Sequence, residues 1–469
     1  MKKFKIEYLL YIFIIISPFL DALSFLWREW FVDSKFSIST ILRPIIPIIL
    51  LTYIFIKEKK LRIALIISAL IFMTYGFIHL YLYKGVIRTV SYGSIFHEAQ
   101  YVLNYTYMLY VLFIFLYFSK KKNLTFLNES LVIMLCGYLF LIYFSIITGT
   151  SSSTYIEGMG YKSYFTSANS LSTVLIMLLS CTLAFMLKKK KILSFIILLL
   201  LGIYLVFLIG TRTGLFGFVL VLVIYLITSF LIKLFKSRKI NYKKILIPTI
   251  LFFIFAFILF NFGSNTLARR KHLKEESNSI IDINTNKPGH TTGDTANFVY
   301  QIKNNTMEKN YMSEAQKLAT ISMYEYANSH KLDSTDSRLQ QLIYHTYLVK
   351  YQKNILYILF GNGYLANNGE MTLEMEIPAL LYNFGLLGFI IYLGPFIFIF
   401  VYSVKNTIKS IKKVTIDNLM CLFTLCLAFF LSAFAGYVFF SVSCILIIIV
   451  TCIFLLKDVK YEKISFWNN

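Results

Sequence analysis

Glu374 and Glu376 stand two residues apart in the stretch LFGNGYLANNGEMTLEMEIPALLYNFGLLG, Leu359 to Gly388, just ahead of a long apolar run. A carboxylate at the mouth of a membrane span can take the proton of an attacking hydroxyl. Gly361, Gly363 and Gly369 punctuate the same stretch. They allow backbone conformations that other residues resist. Asp21, Arg43 and Arg212 lie toward the same ends of their apolar runs, and Arg88 follows the third run. A charge at bilayer depth costs roughly 2.5–3.5 kcal/mol, so such residues tend to be functional or paired. Arg43 could instead snorkel to the interface, and Arg88 could be an ordinary exposed charge. Arg212 sits in the short turn GTRTG, where the backbone can approach a ligand. A guanidinium fork matches phosphate oxygens. Arginines around a cavity at the outer leaflet, with a carboxylate beside them, describe glycosyl transfer from a lipid diphosphate. The arginines stabilise the leaving diphosphate, and the carboxylate activates the acceptor.

Other chemistries fit poorly. The 6 histidines form no HExxH or paired metal spacing, and no CxxC occurs. No Walker A or GxGxxG stretch is present, which argues against nucleotide-driven transport. All 6 cysteines fall in apolar runs, where they read as small apolar residues, so the polar region has no disulfide framework.

The elements that must position these residues are membrane helices. The chain is 58% hydrophobic and only 15% charged. A soluble domain carries about 25% charge. Spans are expected at Tyr8–Leu26, Ile38–Ile56, Leu61–Tyr81, Tyr101–Phe118, Phe126–Thr148, Ser167–Leu187, Ile192–Ile209, Thr213–Leu234, Ile245–Phe262, Pro378–Tyr402, Ile416–Ala435 and Tyr437–Leu456. The first, after MKKFK, lacks a clear cleavage site and reads as an uncleaved span. The net charge of +23 is carried by lysine clusters in every second connection, around Lys2, Lys57, Lys120, Lys188, Lys236, Lys405 and Lys457. That is the pattern of cytoplasmic loops rather than of a nucleic-acid surface. Both termini are therefore expected inside and the alternate connections outside.

This divides the chain into membrane helices over 1–262, a long external loop over 263–377 and three more spans over 378–469. Within the loop, Ala296 to Ser329 has helical composition, and a second helix is expected from about Asp336 to Lys353. Arg338 and His345, seven apart, would share a face of it, His345 at its surface.

Four stretches resemble the O-antigen polymerase and O-antigen ligase superfamily, above all its Wzy-type members in capsule and exopolysaccharide clusters of Gram-positive bacteria. SPFLDALSFL with ILRP is similar to the first two spans of that family and contributes Asp21 and Arg43. YFTSANSLSTVL is similar to the entry of a middle span and contributes Asn169. GTRTGLFGF resembles an arginine turn and contributes Arg212. The run from DSRLQQLIYHTYLVK through LFGNGYL to EMEIPALLYNFGLLG resembles the external arginine, G-x-G element and last Gly-x-x-Gly helix. It matches Arg338, Gly361, Gly363, Glu374, Glu376, Gly385 and Gly388. Ligases carry a His-Asn pair eleven residues before the first glycine of that helix; Glu374 occupies the place here. That departure favours a polymerase.

The resemblance implies an all-α, polytopic, GT-C-like protein of about twelve spans in a bacterial cell membrane. It implies an undecaprenyl-diphosphate-linked oligosaccharide as substrate, no metal and no other cofactor. Membrane lipids, a flippase and a chain-length regulator of the same pathway are the expected partners, and nucleic acid is not. Glu374, Glu376, Arg212 and Arg338 become the candidate catalytic residues. Arg43, Asp21, Arg88, Asn169, Gly361, Gly363 and His345 become candidates for substrate binding. The competing readings are a ligase that moves finished glycan to another acceptor and a transporter of lipid-linked glycan. Transporters place polar sites near the midplane and often show internal repeats; neither is evident here.

Overall fold

Without water, a chain crossing a bilayer must satisfy its backbone groups internally, so long apolar runs become helices. The computed structural model describes residues 5–458 except 32–36, 87–94, 123, 125, 155–159, 189–191, 237–249, most of 251–298, 305, 307–311, 333–336, 365–371, 411–413, 435 and 437. The first helices are α1 (Tyr8–Trp30), α2 (Ile38–Lys57), α3 (Lys59–Val86), α4 (Ile95–Lys121) and α5 (Leu127–Ile147). After an antiparallel pair of short strands, β1 (Ser152–Ser153) and β2 (Tyr161–Ser163), come α6 (Ala168–Lys188), α7 (Ile192–Ile209) and α8 (Arg212–Lys236). A second short pair, β3 (Ile281–Asp282) and β4 (Lys287–Pro288), lies in the long connection. It is followed by α9 (Glu314–Ser329), α10 (Ser337–Gln352) and α11 (Ile355–Phe360). The chain closes with α12 (Glu376–Lys409), α13 (Ile416–Phe434) and α14 (Val442–Asp458).

Among the described residues, 7 helices are long and apolar enough to cross a membrane. Shorter apolar helices occupy Ala168–Leu183, Ile196–Ile209, Arg212–Thr228 and Val442–Lys457. The protein is a polytopic helical membrane protein. The span expected at Ile245–Phe262 lies largely outside the described residues.

The sequence does not treat these helices alike. In α6, Val174 to Leu179 are at most 2% exposed; in α14, Ile445 to Val450 are at most 1% exposed. A helix apolar all round belongs in the centre of a bundle, and these two are the axis of this one. Small hydroxyls stitch them to their neighbours, as Ser180 does to Thr424 at 2.7 Å. By contrast α3 turns Ile63, Ile67, Leu70 and Phe77 outward, a surface suited to lipid.

α9 and α10 form a hairpin with its own small core of Ala319, Met323, Ala327, Tyr344 and Leu348. α9 starts at a capping box: Ser313 Oγ accepts from Gln316 N at 3.3 Å, and Gln316 Oε1 accepts from Ser313 N at 2.8 Å.

Two expected spans differ from their uniform outline. α12 is broken at Gly385, whose φ of 70° and ψ of −178° are not helical. The last span begins at Val442, not Tyr437, because the preceding backbone N–H groups are committed elsewhere.

Candidate functional site

That commitment is to Glu376. Its Oε2 accepts from Val438 N and Phe439 N, each at 2.7 Å, and its Oε1 accepts from Phe440 N and, at 3.1 Å, from the Tyr105 hydroxyl. The residue is 1% exposed. A carboxylate before a helix N-terminus is favoured by the helix dipole and by otherwise orphaned N–H groups. Glu376, at the start of α12, thus caps the entry of α14.

Glu374, two residues earlier, has different surroundings. Its Oε2 accepts from Arg338 Nε at 3.1 Å, and its side chain is 43% exposed. Arg338 also donates from Nη1 to the carbonyl of Phe434, the last residue of α13, at 2.8 Å. The backbone N–H of Glu374 donates to Gln341 Oε1 at 3.1 Å. One turn of α10 therefore supplies both Arg338 and Gln341 to Glu374. The other side of Glu374 lies on Gly436: a Cβ there would stand 1.9 Å from the Glu374 carbonyl oxygen. The connection between α13 and α14 is thus gripped at Phe434, Gly436 and residues 438–440 by Arg338, Glu374 and Glu376.

The break in α12 is built by the two glycines of the G-x-G element. Asn362 N donates to Tyr382 O at 3.0 Å and Gly363 N to Asn383 O at 2.9 Å. A Cβ on Gly361 would meet Asn383 O at 2.1 Å, and one on Gly385 would meet the Leu359 carbonyl carbon at 2.4 Å. Both have positive φ, +83° and +70°. The G-x-G turn is therefore folded into the helix break, with Gly361 spent on backbone contact. Gly363 instead faces a side chain, the Tyr83 ring.

Asp21 and Arg43 are brought together as an ion pair joining α1 to α2. Asp21 also accepts from Tyr138 of α5 and, at 2.5 Å, from Ser443 of α14. Two carboxylates, Glu376 at residues 438–440 and Asp21 at Ser443, therefore hold the chain on either side of the start of α14.

Arg212 is exposed at the first turn of α8. Just before it, Thr211 caps the helix by accepting from Gly214 N at 3.1 Å and pairs with Ser172 of α6 at 2.6 Å. Asn169 lies one turn before Ser172, half-buried, so the entries of α6 and α8 adjoin. Thr154, next to β1, donates to Ile209 O at 2.8 Å and seats the hairpin on this turn. Phe165 then packs on Tyr138 at 5.4 Å, tying this corner to the Asp21 network.

His345, expected at the helix surface, is instead 0% exposed. It lies between the Tyr344 and Tyr382 rings, at 5.3 and 5.8 Å. The face it shares with Arg338 is the packed face of α10. Burial pushes the neighbouring Tyr344 hydroxyl above its ordinary range. Arg88 lies outside the described residues.

Sequence reasoning missed a second buried pair. His79 of α3 and Glu98 of α4 are both 0% exposed and meet at 2.9 Å. The available signal was ionisable groups in or beside apolar runs, the same rule that singled out Asp21 and Arg43.

The end of the bundle thus presents an exposed carboxylate held by an arginine, a second exposed arginine at a helix entry, and a buried polar frame beneath. The arrangement can accept a proton and meet an anion. In comparison with known proteins, the family described as O-antigen ligase like membrane protein matches residues 3–462. No curated protein and no solved structure matches.

Proposed function

The chain belongs to the O-antigen ligase-like membrane protein family, and from that premise we propose that it is a polysaccharide polymerase. Membership itself points to glycan transfer at a membrane. In the proposed reaction a growing glycan leaves undecaprenyl diphosphate for a lipid-linked oligosaccharide repeat on the outer face of a bacterial cell membrane. The acceptor hydroxyl oxygen bonds to the anomeric carbon, and the bond from that carbon to the diphosphate oxygen breaks. Its electron pair leaves with the lipid diphosphate, and the hydroxyl proton passes to Glu374.

One observation carries the assignment of the base: Glu374 is open to solvent and oriented by Arg338 and Gln341, while Glu376 is buried with both oxygens occupied. Arg212, exposed at a helix N-terminus, suits the leaving diphosphate by its fork and by the dipole behind it. Arg338 shares its guanidinium with Glu374, so in this reading it aims the base as well as adding positive charge.

A ligase uses the same donor and differs in its acceptor, and the family description favours keeping it as the second reading. Lipid-linked glycans from a deletion strain separate the cases. Short repeats accumulating outside support the polymerase; long lipid-linked chains support the ligase. Short repeats trapped inside overturn both in favour of a transporter.

A further inference from the structure

We propose that the buried His79–Glu98 pair is a positioning latch. It holds the 360–364 turn in the break of α12 and thereby sets the first half of that helix, which begins at Glu376, two residues after Glu374.

The pair brackets the turn at both ends. His79 Nδ1 donates to Phe360 O at 2.8 Å. Glu98 accepts from Tyr364 N at 2.8 and 2.9 Å. Between these anchors, Asn362 N and Gly363 N satisfy the Tyr382 and Asn383 carbonyls that the break strips of helical partners. The His79 ring also stacks on Phe384, the residue before the break, at 5.0 Å. Tyr75, one turn before His79, donates to Phe384 O at 2.7 Å.

Hydrogen-bond counting makes the latch tight. The Phe360 carbonyl only accepts, so Nδ1 carries a proton. Nε2 faces a carboxylate oxygen at 2.9 Å, so a second proton lies between them. Removing Glu98 takes the acceptor from His79 Nε2 and from Tyr364 N together, and removing His79 takes the buried donor from Phe360 O and from Glu98 Oε1. In a dry interior that outcome is costly. The mechanism assigns no step to His79 or Glu98, and neither is open to substrate.

The latch itself rests on the contacts of the turn alone. Its effect on catalysis rests on the glycosyl-transfer reading, so the test has an arm for each. Asn362 is 0% exposed and its side-chain amide makes no hydrogen bond, so Asn362→Cys provides a buried reporter thiol. The native cysteines are first replaced by serine or alanine. A small water-soluble thiol reagent is then applied to native membranes. The reporter is expected to be protected in the parent, and Glu98→Ala is expected to raise its labelling rate about tenfold or more, as local opening does. Glu98→Gln should leave labelling near the parent rate. Its side-chain oxygen still accepts from Tyr364 N, and its amide can donate to Nε2. A Ser180→Cys thiol, at a position fully buried in α6, should stay protected throughout.

Equal protection of the Asn362→Cys thiol with Glu98 and with Glu98→Ala overturns the proposal. Exposure of both thiols overturns it too, because Glu98 would then support the whole bundle and not the turn. In the second arm, purified Glu98→Ala enzyme should lose kcat on a synthetic lipid-linked repeat while KM changes little. If the parent transfers no lipid-linked glycan yet the thiol pattern holds, the glycosyl-transfer reading fails and the latch stands.

Discussion

Glu374 and Glu376 are two positions apart and have opposite surroundings: Glu374 shares Arg338 at the bundle surface, while Glu376 is sealed among the N–H groups of Val438, Phe439 and Phe440. A chain entering a helix at Met375 turns successive side chains in different directions, so the separation follows from the N-cap itself.

The two glutamates should therefore fail differently. Glu374→Gln keeps size and removes basicity, and transfer to a synthetic lipid-linked repeat should fall by about 10²–10⁴-fold with the melting temperature unchanged. Glu376→Gln presents an amide donor where several donors already converge. It should destabilise by about 1–3 kcal/mol, seen as a lower melting temperature. A Glu374→Gln enzyme at full rate removes this residue as the base.

Arg338 and Glu374 are partly exposed, so their pairing is worth little to stability, about 0–1 kcal/mol. Its value should appear in rate instead. Arg338→Lys keeps a charge but cannot reach both Glu374 and the Phe434 carbonyl with a planar fork. A double-mutant cycle of Arg338→Ala with Glu374→Gln should be strongly non-additive in kcat and nearly additive in melting temperature. Additive rate losses would place the two in separate steps.

Much of this was legible beforehand because membrane helices are written in composition. Apolar runs located α1 to α8 and α12 to α14, and Ser337–Gln352 falls within a residue of the helix expected from about Asp336 to Lys353. Asp21 and Arg43 were visible as two charges in adjacent runs and were assigned to substrate binding; that they pair with each other was not. What the sequence hid depends on contacts remote in the chain. Gly385 interrupts α12 because Gly361 fills the gap, and nothing near Gly385 announces a break in a span this apolar. Glu376 looked like a second catalytic candidate because its donors lie more than sixty residues later. His345 looked exposed because the sequence does not reveal that Tyr382 covers it.

Gly436 should tolerate no side chain. Its φ is +77° and a Cβ would lie 1.9 Å from the Glu374 carbonyl oxygen, so Gly436→Ala must push the base segment away. Activity should fall by at least as much as in Arg338→Ala. Gly394→Ala is the control, since the nearest atom there is a side-chain methyl at 3.9 Å. Equal activity of the two variants would show that the Glu374 backbone can shift without consequence.

Asp21 and Arg43 neutralise one another among α1, α2, α5 and α14. Asp21→Asn or Arg43→Met alone strands the other charge, with about 3–5 kcal/mol as the upper bound set by fully buried pairs. Replacing both, Asp21→Asn with Arg43→Met, should recover part of that loss in a thermal melt. If Arg43 instead binds the lipid diphosphate, the double variant will melt like the parent yet transfer nothing.

The lysine clusters make the last prediction. Every second connection is basic, so Lys409 at the end of α12 and Lys121 at the end of α4 should face the cytoplasm, and Asn328 near the end of α9 should face outside. Single-cysteine variants at these positions, in a background without the native cysteines, can be labelled in intact cells by a reagent that does not cross the membrane. Asn328→Cys should react, and Lys121→Cys and Lys409→Cys should react only after lysis. The proposed chemistry depends on this orientation because Arg338 and Glu374 belong to the same end as α9 and α10. An Asn328→Cys thiol that reacts only after lysis would turn the arginines and the carboxylate toward the cytoplasm. Polymerisation on the outer face would then be excluded, however well the site is built.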